Sequence, residues 1–236
     1  MIYKFFPLIG LFFITATSSF KNHETTSVLA MNVTTESAAL SAKDIYQTLD
    51  PTDWNLPEWN CFQFGIEGFY RLKEEGKVKK NILTLIDFSF SANAKRMWVI
   101  DMDSYTVLYQ TLVSHGRNSG EEFAKKFSNT PESFQSSLGF YATAETYQGK
   151  HGLSLRLDGL ERGINDKARD RAIVIHGADY VSESFIHHNK RLGRSQGCPA
   201  LPQELTKEII ELIKDQSCLF IYHPNRNYIN QSRLVS

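Results

Sequence analysis

The sequence predicts a single domain of mainly β (α+β) class, a β-sandwich with N-terminal helices and one further helix close to its C-terminal end. Three observations carry that expectation. From residue 81 onward, short runs of β-branched and aromatic residues alternate with turn residues. Helical spacing of apolar residues is confined to two stretches, about 41–76 and 202–214. The chain has 236 residues, 42% of them hydrophobic and without internal repeats, which is enough for one well-buried core.

Taken in order, Met1–Lys4 carry one positive charge, Phe5–Ala16 are almost wholly apolar, and Thr17, Ser18 and Ser19 are small. Residues 1–19 therefore read as a cleavable signal peptide, cut near Ser18 or Ser19; the apolar run is too short to span a bilayer. Residues 20–40, rich in Thr, Ser, Asn and Ala without periodicity, read as a disordered tether. A domain is expected over 41–225, followed by a C-terminal tail at 226–236. Ser41 and Asp44 form a capping-box pattern before Ile45, Tyr46 and Leu49, a short helix ending before Pro51. A second helix is expected from Pro57 to Gly76, burying Phe62, Phe69, Tyr70 and Leu72. Strands are expected at 81–88, 95–102, 105–113, 138–147, 153–157, 171–176 and 217–222. Between the last two, Leu205, Ile209, Ile210, Leu212 and Ile213 give a helix from about Pro202 to Lys214 a broad apolar face.

Lys+Arg and Asp+Glu both total 26, and no block of like charge stands out, which argues against a nucleic-acid partner. The three cysteines, Cys61, Cys198 and Cys218, are an odd number for an oxidising compartment, so at least one lacks an intramolecular partner. Cys61 and Cys218 read as buried small hydrophobes, with a mutual disulfide as the alternative.

Cys198 stands in Gly193-Arg194-Ser195-Gln196-Gly197-Cys198-Pro199-Ala200-Leu201-Pro202. Between a glycine and a proline it occupies a turn, where successive amides can converge on one point and serve as an oxyanion hole. Arg194 and the helix that follows would favour a thiolate, formed below the reference thiol pKa of about 8.5. Upstream, the apolar run Arg171–Ile175 ends in His176-Gly177, a strand-end histidine placed to face a cleft and to act as a base. The two residues lie 22 positions apart (198 − 176), so only the fold can bring them together.

These residues resemble the YkuD-type murein L,D-transpeptidase catalytic domains, in a divergent branch with a Ser-x-Gly-Cys-Pro-Ala motif. The family's His-Gly is matched by His176-Gly177, and its Ser-His-Gly-Cys by Ser195-Gln196-Gly197-Cys198. Ser114-His115-Gly116-Arg117 and Ser136-Ser137-Leu138-Gly139-Phe140-Tyr141 are similar to the family's glycine-marked strand and loop. The resemblance implies Cys198 as nucleophile, His176 as base and later acid, and Ser195 as a neighbour that shapes the site. It implies an oxyanion and substrate surface from Gly197, Gln196, Arg194 and Gly177. It also implies peptidoglycan stem peptides as substrate, an exported location in the periplasm or at the cell surface, and no cofactor. Gln196 and Ala200 depart from the family's histidine and arginine, with Arg194 the substitute for the missing charge. The alternatives are a cell-wall carboxypeptidase, endopeptidase or amidase that gives the same thioester to water, and a peptidoglycan-binding domain without turnover.

Other polar groups are assigned less chemistry. His115 is expected to be structural or at the substrate rim, and Tyr141, Tyr147 and Tyr180 to be core or cleft wall. His187 and His188, if on a strand, would point to opposite faces and could not share a metal. No zinc-binding pattern such as His-Glu-x-x-His is present, so no metal is expected.

Overall fold

A computed structural model describes residues 40–49 and 54–235. The expected signal peptide and nearly all of the expected tether lie outside the described residues. Among those residues no helix is long and apolar enough to cross a membrane.

The mainly β class with helices is what the chain adopts. Helices α1 (Ala42–Thr48) and α2 (Trp59–Glu74) come first, then β1 (Ile82–Asp87), β2 (Met97–Asp101) and β3 (Thr106–Thr111). They are followed by β4 (Gly139–Gly149), β5 (Gly152–Gly159), β6 (Val174–Gly177), α3 (Glu183–Asn189) and β7 (Ala200–Leu201). The chain continues through α4 (Gln203–Ile213), β8 (Cys218–Tyr222) and α5 (Arg226–Gln231). The eight strands form one continuously bonded mixed sheet in the order β3-β2-β1-β8-β4-β5-β6-β7. Two neighbouring pairs are parallel, β1 with β8 and β6 with β7.

Local chemistry accounts for the helix ends. The Ser41 hydroxyl accepts from the Asp44 amide at 3.2 Å while the Asp44 carboxylate accepts from the Ser41 amide at 3.1 Å, the reciprocal cap expected from the sequence. Helix α2 approaches the sheet through Gly65 and Gly68, where an added Cβ would come within 2.4 Å of Leu85 and 2.1 Å of Phe140. Beneath it Phe140 of β4 stacks on Phe220 of β8 with centroids 4.1 Å apart, and both rings are fully buried.

Several sequence expectations are corrected. The strand expected at 171–176 begins only at Val174, because residues 161–172 run through consecutive turns that end at Ala172 with φ +53°. His187 and His188 sit on α3, since Ser182 caps that helix by accepting from the Phe185 amide at 3.2 Å. Tyr70 points outward at 38% exposure, while its helical neighbour Phe69 takes the core position. The expected C-terminal tail instead folds back as α5 and packs Tyr228, Leu234 and Val235 into the core. Buried Glu161 anchors it, accepting from the Phe140 amide at 2.8 Å, from the Tyr228 hydroxyl at 3.1 Å and from the Ser232 hydroxyl. Cys61 and Cys218 are free and fully buried, so the alternative disulfide between them is not formed.

The Phe140–Phe220 stack joins two neighbouring strands under α2, and Phe220→Ala would leave a cavity there. The expected loss is about 3–5 kcal/mol of stability by urea unfolding, and a loss below about 1 kcal/mol would contradict this placement.

Candidate active site

The site is built where three sequence segments braid together. The Ser195 amide donates to the His115 carbonyl at 2.9 Å, and the Arg117 amide returns a bond to the Ser195 carbonyl at 2.8 Å. The Ala200 amide donates to the Ser114 hydroxyl at 3.2 Å. Ser136 joins the third segment: its hydroxyl accepts from the Gly116 amide at 3.0 Å and donates to the Gly197 carbonyl at 3.1 Å. Gly116 and Gly197 are required at these crossings. A Cβ on Gly116 would lie 2.5 Å from the Phe134 carbonyl, and Gly197 has φ +126° with the Gln135 carbonyl 2.9 Å from where a Cβ would be.

Ser195 closes the turn from inside. Its hydroxyl accepts from the Gly197 amide at 3.0 Å and donates to the Cys198 carbonyl at 2.6 Å. It thus shapes the loop that carries Cys198. The same bond spends the Gly197 amide, which is therefore unavailable to an oxyanion, contrary to expectation. The Cys198 amide donates to no acceptor among the described residues.

Partly exposed Cys198 lines a cleft of about 650 Å³ together with His176. Its sulfur accepts from the Val174 amide at 3.5 Å and its thiol is directed to the Ala172 carbonyl at 3.6 Å. Desolvation pushes the thiol up from its ordinary value, against the downward pull of the Val174 amide and of Arg171. The expected thiolate below the reference value is not what this environment favours.

Arg194 is not the cation that acts on the sulfur. Although it lines the cleft, its guanidinium donates to the Glu121 carboxylate at 2.7 Å and to the Arg117 and Gly120 carbonyls at 3.1 Å. Arg171 takes that part. One of its terminal nitrogens donates to the Ser128 carbonyl at 2.7 Å and the Ser137 hydroxyl at 2.6 Å, the other to the Gln135 carbonyl at 2.7 Å and the Ser133 hydroxyl at 3.3 Å. Clamped this way, it both fixes the 128–137 loop against Gly197 and places a charge beside Cys198.

The parallel pairing of β6 with β7 brings His176 and the cysteine loop to one place, His176 facing Ala200 in register. His176 is 3% exposed, and its Nδ1 lies 2.9 Å from the Gly177 carbonyl. A carbonyl only accepts, so Nδ1 carries the proton and Nε2 is left as the proton acceptor. Burial lowers the imidazole's proton affinity, and His151 and Lys150 lower it further, against the Gly177 bond. The resting pair is a neutral thiol and a neutral imidazole, with no hydrogen bond between them.

Gly177 is buried, and its contribution is its carbonyl to His176 together with the space it leaves for α4, where a Cβ would meet Gln203 at 2.4 Å and Thr206 at 2.8 Å. It does not line the cleft, so its expected place on the oxyanion or substrate surface is corrected. Gln196 is exposed on the cleft wall. His115 is structural: Arg96 donates to its Nδ1 at 2.8 Å, and burial with that cation lowers its pKa to about 3. Tyr147 and Tyr180 are cleft wall, while Tyr141 is core, its hydroxyl bonded to the Ser137 carbonyl at 3.0 Å. Sequence reasoning missed His151 and Arg171. Gly149-Lys150-His151-Gly152 is a recognisable hairpin turn, but no local signal shows that it lies over β6. Among the described residues no group of three His, Cys, Asp or Glu side chains is placed to hold a metal.

A sequence model of the L,D-transpeptidase catalytic domain (YkuD_2) matches residues 56–222. No curated protein sequence matches the chain. Among solved structures, an Ldtfm–avibactam carbamoyl enzyme is 14% identical with a TM-score of 0.35, over 59% of this chain and 48% of that one. An L,D-transpeptidase from Mycobacterium smegmatis is 10% identical with a TM-score of 0.35, over 61% of this chain and 69% of that one. The helical cell shape determining protein Pgp2 from Campylobacter jejuni is 13% identical with a TM-score of 0.36, over 62% of this chain and 46% of that one. The chain thus spans about half the length of two of these three. At these scores none of the three likenesses supports a statement about this chain's chemistry.

Iodoacetamide should label Cys198 alone in the native protein and all three cysteines after denaturation, as read by peptide mapping. Removing the Arg171 charge raises the thiol pKa further, so Arg171→Met should slow alkylation at neutral pH by up to about tenfold. Arg194→Met should leave that rate unchanged; the reverse ranking would contradict the assignment of Arg171.

Proposed function

Because the chain belongs to the L,D-transpeptidase catalytic domain family, we propose that it is a cysteine acyltransferase acting on peptidoglycan stem peptides, exported by its apolar N-terminal segment. The single observation that carries the proposal is the placement of Cys198 and His176 on one cleft wall, with the tautomer of His176 fixed for accepting a proton.

The chemistry follows from the neutral pair. The Cys198 thiol leaves the Ala172 carbonyl, gives its proton to His176 Nε2, and the sulfur forms a bond to the carbonyl carbon of the donor peptide. The Cys198 amide donates to the oxygen that becomes an anion. Collapse of the tetrahedral adduct breaks the carbon–nitrogen bond, and His176 returns the proton to the departing amine. A thioester remains on Cys198. By the family resemblance the donor is a tetrapeptide stem, cut after its third residue. A second stem amine, a protein amine or water then attacks, loses its proton to His176, and frees Cys198 as the proton returns to sulfur. No step calls for a cofactor.

Transfer to an amine rather than to water depends on positioning of the acceptor. Of the two departures from the family motif, Ala200 is fully buried in the β6–β7 pairing and out of a donor's reach, whereas Gln196 is exposed on the cleft wall, where a donor can meet it.

Mass spectrometry of purified protein with defined muropeptides tests the reading. Loss of the terminal residue from the tetrapeptide is expected, with cross-linked dimer appearing at high acceptor concentration, and Cys198→Ala should abolish both while leaving the unfolding transition in place. Tetrapeptide, pentapeptide and cross-linked muropeptides that all remain unchanged would refute the proposed substrate. Release of the terminal residue without any dimer at high acceptor concentration would mark a hydrolase.

A further inference from the structure

The turn between β4 and β5 carries Lys150 and His151 between Gly149 and Gly152, which are paired in register and leave a two-residue hairpin. Backbone geometry fixes its flanks. Gly152 has φ +78°, and a Cβ on Gly149 would lie 2.9 Å from the Tyr147 ring. Two residues beyond Gly152, Ser154 pairs directly with His176 across β5 and β6. The turn therefore lies at the end of the strand next to the base. The exposed His151 ring lies on the buried His176 ring, with centroids 4.5 Å and planes 22° apart. His176 is thus held at two points, by its Nδ1 bond to the Gly177 carbonyl and by the His151 ring face.

We propose that His151 is a positioning residue for the base: its imidazole face clamps the His176 ring in the orientation that leaves Nε2 free to take the Cys198 proton. The inference rests on the reading of His176 as the base.

Position and charge act together here. When His176 takes the thiol proton it becomes a cation lying on an aromatic face, an arrangement that neutral His151 favours. Charge on the neighbouring His151 and Lys150 opposes that proton, adding to the effect of burial, while the Gly177 bond favours it. The other charged or titratable groups around the cleft are few. Lys150 shares the turn, Tyr147 precedes it on β4, and Cys198 and Arg194 come from the cysteine loop. Arg171 stands before β6, Tyr180 after it, and Glu132 on the 128–137 loop. Arg171 and Arg194 spend their guanidinium groups on that loop and on Glu121, as described above. From β5 and α4 the neighbours Ser154, Gln203 and Thr206 do not titrate. His151 is the group with ring contact to the base.

The test uses the full chain and readouts that need no peptidoglycan: the alkylation rate of Cys198 at neutral pH and the NMR titration of the His176 ring. His151→Ala removes the clamp and should slow alkylation about tenfold, a fraction of what a general base contributes. His151→Phe keeps a flat ring without a titrating group. It should alkylate within about twofold of wild type while its His176 titration midpoint moves up, since the His151 charge that lowers it is gone. In a His176→Ala background neither change at 151 should alter the rate. Wild-type alkylation in His151→Ala, an equal slowing without His176, no rescue by phenylalanine, or an unmoved His176 midpoint would each overturn the proposal. Turnover of muropeptides is read separately, so a wrong substrate assignment leaves this result standing and a failed clamp leaves the substrate test standing.

Discussion

The site depends on the short parallel pairing between β6 and β7. Only two residues of β7 take part, yet the register of His176 with Ala200 is what sets the cysteine loop beside the histidine, 22 residues away in the chain. Such a short ladder holds little free energy by itself. It persists because the segment before it is anchored elsewhere: Ser195 bonds to the 115–117 backbone, Ser136 bridges Gly116 to Gly197, and Ala200 is tied to Ser114. The loop's geometry is thus over-determined by groups that take no part in chemistry, which is how a nucleophile on a loop can be held within the tolerance a reaction needs.

The electrostatic design is one of restraint. Desolvation raises the thiol, Arg171 and the Val174 amide hold it down, and burial keeps the imidazole neutral. The outcome is a resting pair that carries no charge, so in the proposed reaction the nucleophile is generated as the carbonyl is attacked rather than stored beforehand. A permanently ionised thiolate is open to oxidation, and a neutral thiol pointed at a carbonyl is less so. Cys61 and Cys218, fully buried and pushed up by desolvation, are further removed from such chemistry.

Much of this was legible in the chain, because the readable features are local. Apolar runs bounded by turns marked seven of the eight strands, and the Ser41–Asp44 cap and the apolar face of 202–214 marked helix ends and sides. Cys198 and His176 were legible because a Gly-Cys-Pro turn and an apolar strand ending in His-Gly are local patterns too. What failed was spatial. β7 is too short to leave a periodic trace, and Arg171 was read as the first residue of a strand although the backbone turns until Ala172. Arg194 stands near Cys198 in sequence, which points to it as the cation for the sulfur, whereas Glu121, 73 residues away, claims it. His151 belongs to the same class: its turn is plain in the sequence, but its partner is fixed only by the pairing of β5 with β6.

The Cys198 sulfur is the atom proposed to take the acyl group. Its most direct test is the intact mass of the protein after mixing with a tetrapeptide muropeptide, with the modified residue located by peptide mapping. The predicted result is an added mass equal to the donor without its terminal residue, carried on Cys198 and absent from Cys198→Ala. An unmodified wild-type protein in a sample where the donor is consumed, or an adduct on any other residue, would contradict it.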